Sequence, residues 1–441
     1  MLHRIVTLLL IETTLFITHL RTAMNLSLQA LPFVAATALF ATGCQTQTEP
    51  ATTDAATKSA QHDAEAVDHE INDLGKSDVA AAMAQLSPGD PVVIATGRGA
   101  HAPKQPQAAV GDDGSVHLVY GIGDAVQYTQ SLDGGSTFGK AMQAFRVPNM
   151  ALGMRRGPRI AKTKTAIVVT AIGGQIGKGR DGDVLAWRST DDGMTWQGPV
   201  RVNDAADSAR EGLHAMASGA DGSIWCVWLD LRDSKSEIYA TSSKDSGATW
   251  EPNRCVYRSP NGSVCECCHP SVIVSGDSVH VMLRNSIGGD RDMYIVSSMD
   301  NGKSFLPGKK LGSGTWTLDA CPMDGGMLAA GPMGSLETVW RRDGSVYTAA
   351  GDGSPEVLLG LGQQPWIAAT SNGSIIVWTV GREGDLLVQS RVSGQPKKLA
   401  GAARDPMIST ASNGEGPVIA CWESKLNGDP VVLAVRIDVL K

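Results

Sequence analysis

Four short strings decide the fold of this chain: SLDGGSTF at Ser131–Phe138, STDDGMTW at Ser189–Trp196, SKDSGATW at Ser243–Trp250 and SMDNGKSF at Ser298–Phe305. They share the frame Ser-x-Asp-x-Gly-x-Ser/Thr-aromatic, and they recur at intervals of about 55 residues, a period typical of repeat architectures. Each string therefore marks one copy of a supersecondary unit that is stacked against its neighbours.

The frame itself predicts a rigid hairpin tip. Asp and Ser side chains bond nearby backbone amides in tight turns, Gly supplies a positive φ, and the aromatic residue can pack beneath the turn. The strings resemble the Asp boxes, or BNR repeats, of the sialidase-like β-propellers. In that family the boxes lie on the face away from the active site, so the resemblance implies that they act as scaffold.

Residues 91–441 are predicted to form the propeller itself, an all-β fold of four-stranded blades. Runs rich in β-branched and aromatic residues lie between turns that contain Gly, Asp or Asn, as expected for strands. Seven units are counted from their central strands SVHLVYG, AIVVTAI, SIWCVWL, SVHVMLR, SLETVWR, SIIVWTV and PVIACWE. Six blades remain the alternative, because sialidases have six. The early segment DPVVIATG is expected to supply the outer strand of the last blade and close the ring.

The amino-terminal part predicts export. Residues 1–44 contain two apolar runs, and the second ends in ATGC at Cys44. This resembles a bacterial lipoprotein signal with Cys44 as the lipidated first mature residue; an ordinary secretory signal is the alternative. Residues 45–90 are polar and rich in Ala and Thr, which predicts a flexible linker. We therefore expect a lipoprotein of the cell envelope, periplasmic or on the cell surface, that meets the membrane only through its lipid.

The charge of the chain bears on its partners. A formal net charge of −7 over 441 residues argues against nucleic acid as a partner. We expect a monomer.

Arginines are concentrated in the loops that the repeat order assigns to the face opposite the boxes. A guanidinium fork binds a carboxylate through two hydrogen bonds, and sialic acid carries such a carboxylate. The string RGPRI at Arg156–Ile160 resembles the Arg-Ile-Pro element of sialidases. The predicted partner is an acidic carbohydrate or glycoconjugate, although ordinary ion pairs on a solvated face are the alternative. The candidate substrate-binding residues are Arg156, Arg159, Arg210, Arg232, Arg284, Arg291 and Arg341.

The resemblance also implies a set of catalytic residues. Retaining sialidases use a Tyr nucleophile activated by Glu, with an Asp as acid/base. Tyr294 is the candidate nucleophile, Glu211 its activator, and Asp230 or Asp292 the acid/base. An enzyme of this kind would be a glycoside hydrolase of the exo-α-sialidase type and would require no cofactor. The alternative is a non-catalytic binding propeller.

A cysteine cluster leaves three hypotheses open. The string CECCHP contains Cys265, Cys267, Cys268 and His269, and Cys321 occupies a similar place in the next unit. Structural disulfides between neighbouring loops are expected in an exported protein. Thiolates with His269 would instead suit copper or zinc. Covalent haem is the third hypothesis, because Cys265, Cys268 and His269 fit C-x-x-C-H.

Overall fold

The computed structural model describes residues 85–331, 334–391 and 393–440. The regular elements of the described residues are strands, apart from one turn of 3-10 helix at Gly99–His101, and turns and loops connect them. Among them, no helix is long and apolar enough to cross a membrane. The signal segment with Cys44, and the predicted linker as far as residue 84, lie outside the described residues.

The strands follow one another in groups of four. Two strands precede the first group, namely β1 (Gln85–Pro88) and β2 (Val92–Thr96). The first group is β3 (Lys104–Val110), β4 (Val116–Ile122), β5 (Ala125–Ser131) and β6 (Met142–Arg146), and the second is β7 (Arg159–Lys162), β8 (Ile167–Gly173), β9 (Asp183–Ser189) and β10 (Gln197–Arg201). The third group is β11 (His214–Ser218), β12 (Ile224–Asp230), β13 (Glu237–Ser243) and β14 (Arg254–Tyr257), and the fourth is β15 (Ser271–Ser275), β16 (Ser278–Arg284), β17 (Met293–Ser298) and β18 (Lys309–Lys310). The fifth group is β19 (Met327–Ala330), β20 (Leu336–Arg342), β21 (Ser345–Ala350) and β22 (Val357–Leu361). The remaining strands are β23 (Gln363–Thr370), β24 (Gly373–Val380), β25 (Gly384–Ser390), β26 (Ser393–Ser409), β27 (Val418–Leu426) and β28 (Asp429–Leu440).

The described strands form seven antiparallel blades. Five are separate four-stranded sheets, and the other two share one eight-stranded sheet through the long strand β26. The first part of β26 pairs with β25, and its last part pairs with β27. The first strand of each blade contacts the first strands of both neighbours, so that β3, β7, β11, β15, β19, β23 and the end of β26 form a closed ring. The predicted β-propeller is confirmed, with seven blades.

The ring is closed by the start of the described chain. Strand β2 pairs with β28, with Val92 opposite Ala434, and so completes the last blade. The prediction that DPVVIATG supplies this outer strand is confirmed. Strand β1 pairs with the far end of β28, although its residues fall in the stretch predicted to be a linker. An outer strand from the opposite end of the chain leaves no open seam between first and last blade.

Burial follows the position of each strand in its blade. All seven residues of β12 are buried, because the second strand of a blade is covered on both faces by neighbouring blades. All five residues of the outermost strand β10 are exposed. Continuous apolar runs are the sequence signature of sheets covered on both sides, which explains why the central strands could be recognised. The innermost strands enclose an axial cavity of about 640 Å³, lined largely by small apolar residues such as Ala108, Ala161 and Ala329.

The Asp boxes form the turns that their frame predicts. In the first box, Ser131 Oγ donates to Asp133 Oδ1 at 2.6 Å and accepts from the Gly135 amide at 2.8 Å. Thr137 donates to Asp133 through its amide at 2.9 Å and its hydroxyl at 2.6 Å. The same bonds recur in the other boxes, at Ser189, Asp191, Gly193, Thr195; Ser243, Asp245, Gly247, Thr249; and Ser298, Asp300, Gly302, Ser304.

Candidate functional site

The face opposite the Asp boxes, called the upper face here, carries the longest loops. These are the connections from the last strand of one blade to the first strand of the next, at 147–158, 202–213, 258–270 and 311–326. The boxes occupy the other end of the first four blades, and charged and thiol side chains from different blades lie in the loops of the upper face.

A ring of buried polar residues surrounds the axis just inside the upper face. In five blades a proline lies at or near the start of the part of the chain that forms the innermost strand: Pro106, Pro158, Pro270, Pro365 and Pro406. Four buried polar side chains directly precede these prolines, namely Gln105, His269, Gln364 and Asp405, and a fifth, Asp324, lies shortly before β19. This ring was not predicted from the sequence. Its signal was the recurrence, in four blades, of a polar residue followed by Pro at the start of an apolar segment.

Hydrogen bonds connect members of this ring across blades. Gln105 Nε2 donates to Asp405 Oδ2 at 2.8 Å and to Glu423 Oε1 at 2.9 Å. Gln364 Nε2 donates to Asp405 Oδ1 at 3.1 Å, and the Gln364 amide donates to Asp324 Oδ2 at 2.7 Å. Burial raises the pKa of Asp324 and of Glu423. The first, fifth, sixth and seventh blades are thereby joined at the axis.

Arg155 completes this network from the loop at 147–158. Its Nη1 donates to the Pro406 carbonyl at 2.7 Å and its Nη2 to the Gln364 carbonyl at 2.8 Å, and its guanidinium lies 5.0 Å from the centre of the Trp366 ring. Its Nε is 3.6 Å from Asp405 Oδ1. Burial lowers the pKa of Arg155, while the carboxylate of Asp405 acts in the opposite direction. The side chain ties the loop between the first two blades to the sixth and seventh.

Two of the candidate substrate-binding arginines are bonded to the main chain. Arg159 is buried and donates to the carbonyls of Arg155, Gly157, Pro158 and His214. Arg284 is also buried and donates to the carbonyls of Asp324, Arg291 and Arg341. Their guanidiniums therefore stabilise the loops of the upper face.

Arg232 and the two candidate Asp residues are held in local networks. Arg232 pairs with Asp230 at 2.9 Å and with Asp204 at 2.9 Å, and lies 4.0 Å from the Tyr239 ring centre. Asp230 is fully buried and also accepts bonds from Trp228 Nε1 and Ser208 Oγ, each at 2.7 Å. Asp292 accepts from the Trp316 amide at 3.0 Å and pairs with Lys310 at 2.7 Å.

Tyr294 lies between the third and fourth blades. Its ring centre is 6.2 Å from that of Tyr257, and it packs against the apolar cluster that these blades share. Tyr257 in turn accepts a bond from Asn285 Nδ2 at 2.6 Å. Glu211 instead contacts Arg156, so the structure does not bring the candidate nucleophile and its candidate activator into contact.

Glu211 is the titratable candidate best placed for acid–base chemistry. It is half-buried in the loop at 202–213; Arg156 Nε donates to its carbonyl at 2.6 Å, and Arg156 Nη2 lies 4.0 Å from Oε2. Burial raises the pKa of Glu211, Arg156 opposes this effect, and the nearby carboxylate of Glu266 adds to it. Arg210 is a further partly exposed cation beside it.

Arg291 and Arg341 flank the next loops. Arg291 Nε donates to the Leu318 carbonyl at 3.3 Å, and its Nη1 lies 3.8 Å from Cys265 Sγ. Arg341 lies 5.2 Å from the Trp316 ring centre, on which Arg284 also stacks at 5.3 Å. Both Arg291 and Arg341 remain partly exposed.

The structure brings the cysteines of CECCHP together. Cys265 Sγ lies 3.7 Å from Cys267 Sγ and 3.5 Å from Cys268 Sγ, and all three sulfurs are within 4.8 Å of one another. Cys321, from the loop at 311–326, is next to Cys267, and contact with that thiol raises the Cys321 pKa to about 11. Contact with the Cys267 and Cys268 thiols lowers the pKa of Cys265, whereas burial raises that of Cys268. The seven cysteines of the described residues are all free thiols.

His269 does not belong to the group of three sulfurs. Its ring is buried at the axis, 5.8 Å from the Trp366 ring centre, and its Nδ1 accepts a bond from the Gly325 amide at 3.3 Å. Among the described residues, its Nε2 has no hydrogen-bond partner. Burial holds the pKa of His269 well below its usual value.

Comparisons with known proteins relate part of the chain to a family. The model of the BNR repeat-like domain matches residues 159–315, which include three of the four boxes. No curated protein matches the chain significantly.

Similar solved structures include three glycosidases. An α-L-arabinanase from Penicillium chrysogenum, complexed with arabinobiose, is 14% identical with a TM-score of 0.49, over 80% of this chain and 98% of that one. An α-L-arabinofuranosidase from Fusarium graminearum, complexed with an iminosugar inhibitor, is 14% identical with a TM-score of 0.47, over 80% and 98%. The Trypanosoma rangeli sialidase is 11% identical with a TM-score of 0.44, over 76% and 55%. The ring topology confirms the predicted β-propeller, and the BNR repeat-like match supports the predicted repeats over residues 159–315.

Proposed function

We propose that this propeller is a glycoside hydrolase whose site lies on the upper face around Glu211. The observation that carries the proposal is the environment of that carboxyl group, which is half-buried, has a raised pKa and is flanked by Arg156. A general acid must still hold its proton near neutral pH, and burial of a carboxyl group achieves this. Glu266 is an exposed second carboxylate nearby, as two-carboxylate glycosidase mechanisms require.

An acidic sugar is the proposed substrate class, with a sialoside as the first candidate. Arg156 and Arg210 are partly exposed beside Glu211, and guanidinium groups bind carboxylates with directed hydrogen bonds. Arg159 and Arg284 do not enter this proposal, because their donors are bonded to main-chain carbonyls. Tyr294 does not enter it either, since it packs between two blades.

The test is turnover of a panel of fluorogenic glycosides by the full chain, including an α-sialoside, a uronide and an α-L-arabinofuranoside. We expect Glu211→Gln to lower kcat on the active substrate by about 100-fold or more, as loss of a general acid does. Glu415→Gln is the matched control, because Glu415 is exposed in a turn of the opposite face. Equal activity of the Glu211→Gln variant and the native chain would disprove the role of Glu211.

A binding propeller without catalysis is the second candidate. It is favoured by the separation of Tyr294 from Glu211 and by the use of Arg159 and Arg284 as loop anchors. Glycan binding that Arg156→Ala weakens, without turnover of any panel substrate, would support this candidate. If the chain neither binds nor hydrolyses any acidic glycan, both proposals are contradicted.

The cellular location is proposed from the sequence of the amino-terminal segment. We propose an exported lipoprotein anchored through Cys44, which acts as a monomer on a carbohydrate of the envelope. Cys44→Ala should release the protein from the membrane fraction and abolish incorporation of labelled fatty acid. Unchanged fractionation of this variant would contradict the anchor.

A further inference from the structure

The cluster of cysteines on the upper face has no role in the proposed hydrolase reaction. It combines Cys265, Cys267 and Cys268 from the loop at 258–270 with Cys321 from the loop at 311–326. These loops enter the fourth and fifth blades. We propose that Cys265, Cys267 and Cys268 form a binding site for a soft d10 cation, Cu(I) or Zn(II), to which Cys321, next to Cys267, supplies a fourth ligand when the ion is Zn(II).

The spacing of the sulfurs fits a shared ion. Two thiolates bound tetrahedrally to one metal at about 2.3 Å are separated by roughly 3.8 Å. The observed separations from Cys265 Sγ are 3.7 Å to Cys267 Sγ and 3.5 Å to Cys268 Sγ. A disulfide would require about 2.05 Å between two sulfurs, much less than either observed separation. A single ion can use all three.

The main chain holds the thiols in this arrangement. The Cys265 amide donates to the Arg284 carbonyl at 3.0 Å, which fixes the loop to strand β16, and the Cys268 amide donates to the Cys265 carbonyl at 3.4 Å, which closes a turn. That turn places the first and fourth residues of CECC side by side. Cys265 and Cys268 are buried, Cys267 is partly exposed and Cys321 is exposed, so the site has a dry interior and an open rim through which an ion can enter.

The surroundings compensate for negative charge on the sulfurs. Arg291 Nη1 lies 3.8 Å from Cys265 Sγ, and the buried guanidinium of Arg284 is a second positive charge that acts on Cys265. Several thiolates around one cation carry a net negative charge, which two neighbouring guanidiniums offset. Thiolate-rich sites select copper(I) and zinc over hard cations such as magnesium or calcium.

The experiment uses the full chain, purified under anaerobic and reducing conditions and freed of metal. Cu(I) and Zn(II) are titrated in separate arms against a competing chelator, and X-ray absorption records the ligand shell. We expect one equivalent of metal per chain with sulfur neighbours at about 2.3 Å. Zinc sites of the structural type need four ligands, so Zn(II) binding should also depend on Cys321.

Substitutions test whether these cysteines are the ligands of the metal. Cys267→Ser and the double variant Cys265→Ser/Cys268→Ser are each expected to lower affinity by at least about 100-fold. Cys255→Ser is the matched control, because Cys255 is a partly buried thiol outside the cluster, and it should bind metal as the native chain does. Circular dichroism of each metal-free variant distinguishes a variant that has lost metal ligands from one that has lost its fold. Cys267 is partly exposed, whereas Cys265 and Cys268 are buried, so substitution at Cys267 disturbs packing less.

Three results would overturn the proposal. The first is no bound metal while the thiols of the cluster still react with a thiol reagent. The second is a disulfide within the cluster that forms in air and persists when metal is present, as detected by mass spectrometry. The third is metal binding that is unchanged in both cysteine variants. None of these results depends on hydrolase activity, so failure of the proposed function would leave this site intact.

Discussion

Gly302 of the fourth Asp box packs directly against the indole ring of Trp225 in the third blade, and a Cβ at position 302 would overlap that ring. The same relationship holds between Gly193 of the second box and Tyr128 of the first blade. The glycine of the frame therefore has two roles. It adopts a positive φ in the turn, and it allows one blade to approach the preceding one closely.

Gly302→Ala should destabilise the protein by about 3 kcal/mol, because it adds overlap in a packed interface to the cost of a left-handed residue. The measurement is urea unfolding at neutral pH. Gly276→Ala is the matched control, since Gly276 has a φ of +57° and a Cβ added there would meet no atom within 4 Å. The Gly276→Ala substitution should lower the free energy of unfolding by only about 1–2 kcal/mol. If both variants lose the same free energy of unfolding, the contact between Gly302 and Trp225 contributes nothing to stability.

Asp191 of the second box should contribute to stability in acid. The Thr195 hydroxyl and amide and the Ser189 hydroxyl donate to its carboxylate and lower its pKa to about 2. A carboxyl group whose pKa is lower in the folded state stabilises it above the unfolded pKa of about 4, and this contribution is lost as the pH falls towards about 2. Asp191→Asn should therefore unfold at lower temperature at pH 6 and lose less stability on acidification.

The control for this prediction is Asp192→Asn, which removes the neighbouring carboxylate at a variable position of the frame. Thermal unfolding between pH 2 and 6 compares the two variants. Parallel pH profiles for Asp191→Asn and the native chain would contradict the role of the hydrogen bonds in the box.

His117 should make the first blade sensitive to mild acid. Its Nδ1 lies 2.8 Å from the Tyr128 hydroxyl and its Nε2 lies 3.0 Å from Ser115 Oγ, and burial lowers its pKa to about 4. The unfolded chain binds the proton near a pH of about 6.5, so stability is complete above that value and falls as the pH drops towards 4. The loss at this one site amounts to at most about 3 kcal/mol.

His117→Gln should remove this part of the pH dependence, measured as the difference in unfolding free energy between pH 7 and pH 4.5. His101→Gln is the control, because His101 is exposed. A native-like pH dependence in the His117→Gln variant would assign the acid sensitivity to other buried histidines.

The fold could be predicted in detail because its signals are local. The box frame predicted the bonds among Ser131, Asp133 and Thr137, since they join residues two to four positions apart. The functional residues were harder to predict, because their partners come from distant blades. Arg159 was expected to meet a ligand, yet its acceptors include the His214 carbonyl of the next blade, and no pattern in RGPRI indicates that. Tyr294 was expected near Glu211, but its alternation within β17 places it between blades.

Arg159 therefore provides the sharpest test of what the arginines do. Its guanidinium is fully buried, and Arg159→Ala would leave main-chain carbonyls of Gly157, Pro158 and His214 without their donor. Leaving buried polar groups unpaired costs about 1–3 kcal/mol each, and we expect a total loss of about 3 kcal/mol or more. Arg159→Lys should recover little of it, because an ammonium group cannot reproduce the planar fork of donors. Arg201→Ala, on the exposed strand β10, should be close to neutral. Urea unfolding of the three variants decides between the two roles: a stable Arg159→Ala protein that had lost only ligand binding would restore Arg159 to the substrate site.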